Sequence, residues 1–119
     1  MKKTLIIGAS ANPSRYAYLA AERLLQKGHK IEMIGKRKET VFGKEIQTEK
    51  LPFEGIDTIT LYLSAPYQPE YYDYILSLKP KRVIFNPGTE NPELARLLSQ
   101  NGIEWEQACT LVLLGTNQF

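Results

Sequence analysis

Short runs of consecutive apolar residues alternate along this chain with longer segments in which apolar residues recur every three or four positions. Uninterrupted apolar runs are typical of strands buried on both faces, and the longer period is typical of amphipathic helices. The pattern predicts strands at residues 4–7, 30–34, 58–63 and 82–85, and another that begins at residue 103. It predicts helices over residues 13–27, 69–78 and 92–101. Strands that alternate with helices form a parallel sheet covered on both faces, because the right-handed crossovers place helices there.

We therefore predict an α/β fold, a small doubly wound (Rossmann-like) parallel sheet of about five strands with helices on both faces. Local signals set the predicted helix ends. Asn12 followed by Pro13 is the pattern of an N-cap and a first helical residue, and the same pair recurs at residues 91–92. Gly28 is expected to stop the first helix by adopting a left-handed conformation.

Two segments carry weaker signals. Residues 35–54 have no helical period and are predicted to be a loop with a short strand near residues 45–48. The apolar stretch at the start of residues 110–119 fits either a strand or a helical turn, and its periodicity does not choose between them.

The composition of the chain limits its number of domains, its expected location and its classes of partner. The chain has 119 residues, 43% of them hydrophobic and 24% charged, which suits a single domain over residues 1–119 with an ordinary hydrophobic core. A single Cys excludes an internal disulfide, so we expect a reducing, cytoplasmic location. The apolar run after the N-terminal lysines is too short for a signal peptide, and no stretch approaches the roughly 20 residues of a membrane span. A net charge of +2 is too small to indicate nucleic acid as a partner.

The chemistry of such a sheet is expected where its strands end, because ligands of doubly wound sheets bind outside the carboxyl ends of the strands. The strand ends lie at residues 8–10, 35–38, 64–66 and 86–88. All four are rich in Gly, Ser, Pro or basic residues.

The first strand end has the composition of an anion-binding turn. Gly8 permits a tight bend, and the small Ala9 and Ser10 let a ligand approach the backbone. A helix that begins near Asn12 directs free N–H groups toward this turn, and Arg15 adds a bidentate donor. Two glycines of the G-x-G-x-x-G fingerprint are missing, which disfavours an ordinary NAD site. The alternative is a simple strand-to-helix turn of small residues.

The second strand end is basic. Gly35 is followed by Lys36, Arg37 and Lys38 at the position where NAD enzymes carry an acidic residue for the ribose. Basic groups suit a phosphorylated ribose instead, as in NADP or the 3′-phosphate of coenzyme A. The alternative is a solvated basic loop.

The third and fourth strand ends offer small and polar residues that are expected to border a ligand. They are Tyr62, Ser64, Ala65, Pro66, Asn86, Pro87 and Gly88. Turn chemistry alone also explains the Pro and Gly residues. Asn86 is singled out because a polar side chain at a strand end can project into the site.

The sequence offers no catalytic set. His29 is the only His and precedes the second strand, on the side opposite the expected crevice. Cys109 has no His near it in sequence and is predicted to be a buried structural thiol. No metal-ligand spacing is present. We therefore expect a binding protein without catalysis of its own. Outward-facing residues among Tyr71, Tyr72 and Tyr74 are a candidate patch for a homo-oligomer.

The stretch LIIGASANPSRYAYLAAERLLQKGHKI resembles the opening of the CoA-binding domain family, with its Gly-Ala-Ser-x-x-Pro-x-Arg turn. The resemblance extends through GKRK, LYLSAP, IFNPGTENPEL and EQACTLVLL, and so covers nearly the whole chain. Similar domains form the CoA site of the succinyl-CoA synthetase α subunit. The catalytic His of those synthetases lies in a separate domain, so the resemblance implies binding and not synthetase activity.

The resemblance implies coenzyme A or an acyl-CoA as the ligand. It implies that the CoA phosphates contact Gly8, Ala9, Ser10, Asn12 and Arg15. It implies that Gly35, Lys36 and Arg37 lie on the side of the adenosine 3′-phosphate. It also implies that Ser64, Ala65 and Pro66 line the adenine or ribose. Two alternatives remain: an NADP-binding enzyme subunit, and a protein-interaction module on the same fold that binds no nucleotide.

Overall fold

The computed structural model describes residues 2–119, and its elements alternate as the sequence pattern predicts. The strands are β1 (Thr4–Ala9), β2 (Ile31–Gly35), β3 (Thr40–Val41), β4 (Lys44–Glu45), β5 (Thr58–Leu61), β6 (Arg82–Phe85) and β7 (Glu104–Gln107). The helices are α1 (Tyr16–Gln26), α2 (Tyr72–Leu78), α3 (Pro92–Gln100) and α4 (Thr110–Gly115). Short 3₁₀ turns at Ala65–Tyr67 and Pro69–Tyr71 lead into α2.

Within residues 2–119 the main sheet has five strands in the order β2-β1-β5-β6-β7, all parallel. On the outer side of β2, a short backbone bridge pairs Gln47 with this strand, and the N–H of Gln47 donates to the carbonyl of Met33 at 2.9 Å. The chain places β2 on one side of β1 and then β5 on the other side. The strand order thus reverses between β1 and β5. A doubly wound sheet opens its ligand crevice at this switch point. The predicted Rossmann-like α/β fold is confirmed.

The core lies on both faces of the sheet because successive β1 side chains point to opposite sides. Leu5 and Ile7 pack with the side chains of α2 and α3, whereas Ile6 packs with those of α1 and α4. All three are fully buried. Each contributes about 1.5–3 kcal/mol from burial, which makes β1 the centre of the fold.

The first helix begins later than predicted. Residues 13–15 precede α1, which starts at Tyr16 after an extended Arg15 (φ −88°, ψ 142°). Asn12 caps a tight turn instead of the helix, because its Oδ1 accepts from the N–H and the hydroxyl of Ser14 at 3.0 and 2.8 Å. Tyr16 is 71% exposed, and the buried face of α1 is formed by Ala17, Ala20, Ala21 and Leu24.

The predicted end of α1 and the predicted start of α3 are present in the structure, and the segments with weaker signals take definite forms. Gly28 ends α1 with a φ of 83°, and Asn91 caps α3 through the N–H groups of Glu93 and Leu94. Residues 45–48 contribute the end of β4 and the bridge to β2 in place of a regular strand. The ambiguous tail is helical, as α4. Cys109 is partly exposed at the start of that helix, so its predicted burial is wrong.

The β7 strand forms the outer edge of the sheet. Trp105 packs edge-on against Phe85 with ring centroids 5.9 Å apart, and its indole N–H donates to Ser99 Oγ at 2.9 Å. Its neighbours Glu104 and Glu106 are acidic and point to the opposite face. Between residues 2 and 119, no helix combines the length and the apolar character that a bilayer crossing needs.

The far end of the sheet carries a pH-sensitive contact. The backbone N–H of Lys2 donates to Nδ1 of His29 at 2.9 Å, and only neutral imidazole accepts such a bond. Burial, followed by nearby cations that include Lys2 and Arg82, holds the pKa of His29 below its ordinary value of 6.5. Between the lowered pKa and 6.5, the unfolded chain therefore binds a proton that the folded chain does not.

We expect the free energy of unfolding to fall as the pH decreases through 6.5. Carboxylates contribute at lower pH, so the test compares urea denaturation of the wild type and His29→Gln between pH 8 and pH 5, a range of about three units around the ordinary His pKa. The wild type should lose more stability than the variant. Parallel curves would show that His29 does not contribute.

Candidate functional site

A crevice of about 950 Å³ lies over the carboxyl ends of β1, β2, β5 and β6. This volume is near the upper end of the roughly 300–1,000 Å³ of ligand pockets, so it suits an extended ligand. A smaller cavity of about 470 Å³ lies beside Trp105 at the β7 edge, near the amino ends of β6 and β7. The crevice coincides with the switch point of the strand order, and it is therefore the candidate site.

The structure brings most of the predicted site residues together around this crevice. Those that line it are Gly8, Ala9, Ser10, Asn12, Arg15, Gly35, Lys36, Arg37, Ser64 and Gly88. Tyr62 and Pro87, which the strand-end pattern also indicated, lie there too. Ala65, Pro66 and Asn86 do not line the crevice.

Gly8 has a structural reason to be glycine. Its φ is +94°, and a Cβ at this position would lie 2.8 Å from the backbone carbon of Tyr62 and 2.9 Å from its carbonyl oxygen. Real side chains do not approach backbone this closely, so glycine lets the end of β1 press against the end of β5. The tight turn above it is therefore fixed by contact between strands, before any ligand is considered.

The turn after β1 presents donors to the crevice. Ser10 Oγ accepts from the N–H of Asn12 at 3.0 Å, which leaves the Ser10 hydroxyl proton to point elsewhere. Arg15, Tyr16 and the buried Ala17 line the crevice at the start of α1. The first N–H groups of a helix have no partner within it, and its N-terminal end carries a partial positive charge. This arrangement suits an anion, although α1 begins beyond Asn12, where the sequence had placed it.

The basic strand end divides into residues that face the crevice and one that does not. Gly35 fits only without a side chain, because a Cβ would lie 2.5 Å from the carbonyl oxygen of Ala9. Lys36 and Arg37 line the crevice, and Lys36 Nζ lies 5.3 Å from the centre of the Tyr67 ring across its mouth. Lys38 instead points to Glu45, with Nζ 4.0 Å from the carboxylate.

Tyr62 directly follows β5, lines the crevice and is partly buried. Burial, opposed by the Thr110 and Thr60 hydroxyls, raises the pKa of Tyr62 to about 12. The phenol is therefore protonated at neutral pH. Its hydroxyl lies beside those of Thr60 and Thr110, and it is a poor proton acceptor.

Asn86 lies below the crevice, and the expectation that its side chain projects into the site is corrected. It is 2% exposed, and its Nδ2 donates to Thr60 Oγ1 at 2.6 Å and to the carbonyl of Leu61 at 2.9 Å. Its Oδ1 accepts from the N–H of Thr110 at 2.9 Å. All the polar atoms of this amide point away from the ligand space and join β5, β6 and α4. Ala65 and Pro66 also lie off the crevice, because the 3₁₀ turn that they begin folds them outward.

Sequence reasoning missed the aromatic and acidic rim. Tyr16, Tyr67, Tyr71, Glu39 and Glu70 line the crevice in addition to the predicted residues. A usable signal was present in SAPYQPEYY, where two prolines stand three residues apart, since proline favours the first position of a short helical turn. Consecutive turns of this kind fold the segment back over the strand ends.

The tyrosines near α2 do not form the outward patch that suggested a homo-oligomer. Tyr74 is buried and donates to the carbonyl of Leu51. Tyr72 donates to Glu93 Oε1 at 2.9 Å. Tyr71 is partly buried at the crevice, with Lys50 Nζ 4.9 Å from its ring centre.

The chain is a Rossmann-like α/β protein with a crevice at the switch point of its sheet, lined by Arg15, Lys36 and Arg37. The chain belongs to the CoA binding domain family, whose model matches residues 2–115. Among curated proteins, none matches the chain. The resemblance in the sequence is therefore confirmed at the level of the family.

Solved structures match closely in shape. The crystal structure of an uncharacterized protein is 57% identical, with a TM-score of 0.98 over 100% of this chain and 98% of that one. A structure described as cell-free ID.343 from Thermus thermophilus is 22% identical, with a TM-score of 0.86 over 99% of this chain and 90% of that one. A hypothetical protein from Pyrococcus horikoshii OT3 is 24% identical, with a TM-score of 0.84 over 93% of this chain and 80% of that one. The last two matches establish the fold alone.

Proposed function

We propose that this protein binds coenzyme A or an acyl-CoA in the switch-point crevice and has no catalysis of its own. One observation carries the proposal: the crevice has cations at two neighbouring strand ends, with Arg15 beside the β1 turn and Lys36 and Arg37 after β2. CoA carries phosphates at two separate places, the pyrophosphate and the 3′-phosphate. Two anion-accepting positions beside one extended cavity match that distribution of charge.

In the proposed complex the two phosphate groups of CoA occupy two different parts of the crevice. The pyrophosphate lies at the β1 turn, against Ser10, Arg15 and the first N–H groups of α1. The small Ala9 lets it approach the backbone, and Asn12 shapes the turn through its bonds to Ser14. The 3′-phosphate lies at Lys36 and Arg37. Ser64 and Gly88 border the ligand from the opposite strand ends.

The proposed binding unit is a single domain over residues 1–119, of which the family model matches residues 2–115. A cytoplasmic location is part of the proposal, because a single cysteine suits a reducing compartment.

Arg15→Ala is expected to lower the affinity for CoA by about 10- to 150-fold, since a hydrogen bond to a charged group contributes about 1.5–3 kcal/mol. Arg15 is exposed, and its side chain makes no hydrogen bond or ion pair within residues 2–119, so folding should be unaffected. Isothermal titration calorimetry measures the affinity, and a thermal melt without ligand checks the fold. Arg96→Ala removes an exposed arginine on α3 and serves as the control. Equal affinities of the wild type and Arg15→Ala for CoA would contradict the proposed phosphate site.

Lys36→Ala is expected to weaken binding of CoA but not of 3′-dephospho-CoA, because only CoA offers a 3′-phosphate. The expected loss for CoA is about tenfold or more. Lys38→Ala is a matched control, since it removes the same charge from the same basic cluster but from a side chain that points to Glu45. A loss of the same size for Lys38→Ala would mean that general charge, and not a 3′-phosphate contact, attracts the ligand.

A thermal-shift comparison of CoA, NADP and NAD separates the proposal from its main alternative, because the basic strand end also suits the 2′-phosphate of NADP. Stabilisation by CoA is the expected result. Stabilisation by NADP alone would replace the proposal with an NADP-binding function. A folded protein that responds to none of the three would support the interaction-module alternative.

A further inference from the structure

The outer edge of β7 is open, and its backbone groups point alternately into the sheet and away from it. The N–H of Glu104 donates to the carbonyl of Lys81, which precedes β6, at 3.2 Å. Successive residues of a strand direct their backbone groups to opposite edges, so Trp105 and Gln107 direct theirs outward. Within residues 2–119, no strand pairs with β7 on that side. The edge therefore offers free donors and acceptors that another extended chain can use.

The cavity of about 470 Å³ lies against this edge. Its lining includes Glu104, Trp105 and Glu106, with Arg82 and Ser99 behind them. Trp105 points to one face of the sheet and the two glutamates to the other, so a space that all three border lies along the edge between the faces. None of these five residues lines the switch-point crevice. The β7 edge is therefore a separate surface from the proposed CoA site.

Trp105 gives the edge a fixed apolar anchor. Its side chain is 39% exposed, although the ring packs edge-on against Phe85 and the indole N–H donates to Ser99 Oγ at 2.9 Å. Tryptophan is enriched among the residues that contribute most to protein interfaces, and a ring already held in place loses little freedom on binding. Edge strands that avoid pairing often carry Lys, Pro or a bulge. Residues 104–107 have none of these and pair with β6 in a regular register.

The charges beside Trp105 decide the chemistry of a partner. Glu106 lies 3.6 Å from Arg82, and its side chain is 42% exposed. Glu104 is exposed and makes no ion pair within residues 2–119. The edge therefore carries more negative than positive charge. Opposite charges on facing residues of two strands stabilise their pairing, and like charges destabilise it, so the edge favours a basic strand.

We infer that the β7 edge docks an extended basic segment of a partner protein by strand addition. The partner's backbone pairs with the outward groups of Trp105 and Gln107. Its Lys or Arg side chains lie opposite Glu104 and Glu106, and an apolar side chain between them packs on Trp105. A contact with one short strand is small, so this complex belongs to the weak, transient class. The docking does not depend on a ligand in the crevice.

Calorimetry of the full chain with two capped peptides tests this docking. Each peptide has about six residues, the length of an ordinary strand. The Lys peptide alternates Lys with Val, and the Glu peptide alternates Glu with Val. The two peptides have the same apolar residues and the same tendency to extend. The wild type should bind the Lys peptide at least about tenfold more tightly than the Glu peptide.

Glu104→Gln keeps the shape of the side chain and removes its charge. It should lower the affinity for the Lys peptide by about two- to fivefold, the range of an exposed ion pair. Glu49→Gln is the matched control. Glu49 is an exposed glutamate two residues beyond Gln47, which bridges to β2 at the other end of the sheet, so its loss should leave the affinity unchanged.

Amide hydrogen exchange of the wild type, followed residue by residue by NMR, shows whether the peptide adds as a strand. The Lys peptide should slow exchange at the N–H groups of Trp105 and Gln107, which point outward. It should leave the N–H of Glu104 unchanged, because this group is already bonded within the sheet. The measurement needs no variant, so it decides the matter even if a substituted chain does not fold.

Three results would overturn the inference. The first is equal affinity for the two peptides, or binding of neither. The second is binding of the Lys peptide without slower exchange at Trp105 and Gln107, which would mean attraction by charge alone. The third is slower exchange at these two groups with rising protein concentration and no peptide, which would make a second copy of the chain the occupant. None of these results bears on the proposed binding of CoA.

Discussion

Gly8→Ala is expected to lower the free energy of unfolding by about 2–5 kcal/mol, or to prevent folding altogether. Two costs add at this position. A left-handed conformation costs about 1–2 kcal/mol for a residue with a Cβ, and the φ of Gly8 is +94°. The new Cβ would also lie 2.8 Å from the backbone of Tyr62, so β1 and β5 must separate, which costs about 1–3 kcal/mol in a well-packed core.

Gly88→Ala separates these two costs. Gly88 has a similar φ of +90°, but a Cβ there would meet nothing within 4 Å. It should lose only the conformational cost, about 1–2 kcal/mol. Urea denaturation of both variants measures the difference. If the two variants lose equal stability, the close approach of β1 to β5 does not require a glycine.

Asn86→Ala is expected to be the second severe change, with a loss of about 3–5 kcal/mol in the free energy of unfolding. The substitution leaves the carbonyl of Leu61 and the N–H of Thr110 without partners in the core, and each unsatisfied buried group costs about 1–3 kcal/mol. The small cavity that remains adds to this loss. Urea denaturation measures the effect.

Asn101→Ala is the matched control, because it makes the same substitution at an exposed residue whose Nδ2 donates to the carbonyl of Leu97. Exposed changes of this kind are expected to stay near 0.5 kcal/mol, on the order typical of surface positions. A loss at Asn86 no larger than the loss at Asn101 would falsify the view that this amide joins β5, β6 and α4.

Much of the fold follows from local patterns in the sequence. The strand predicted at residues 82–85 matches β6, since the apolar run at residues 83–85 stands between turn residues and has few other interpretations. Asn91 caps α3 as its place before Pro92 predicts. The same pattern is wrong at Asn12, because Ser14 two residues later gives its side chain a competing turn.

The site was predictable in position but less so in detail. The rule that ligands bind at the carboxyl ends of parallel strands places Ser10 and Lys36 correctly beside one crevice. The direction of Asn86 could not be predicted, because its partners are Thr60 and Thr110, distant in sequence. The same holds for Gln68, whose bonds reach Thr89 and Asn91. A long-range polar contact leaves no periodic signal.

The acidic residues of β7 bear on how the molecule behaves at high concentration. An edge strand exposes unpaired backbone groups to which the same strand of another copy can add. Because Glu104 and Glu106 lie two residues apart, antiparallel pairing of two β7 strands about Trp105 would set carboxylates against carboxylates. Like charge therefore disfavours edge-to-edge joining of two sheets at this strand.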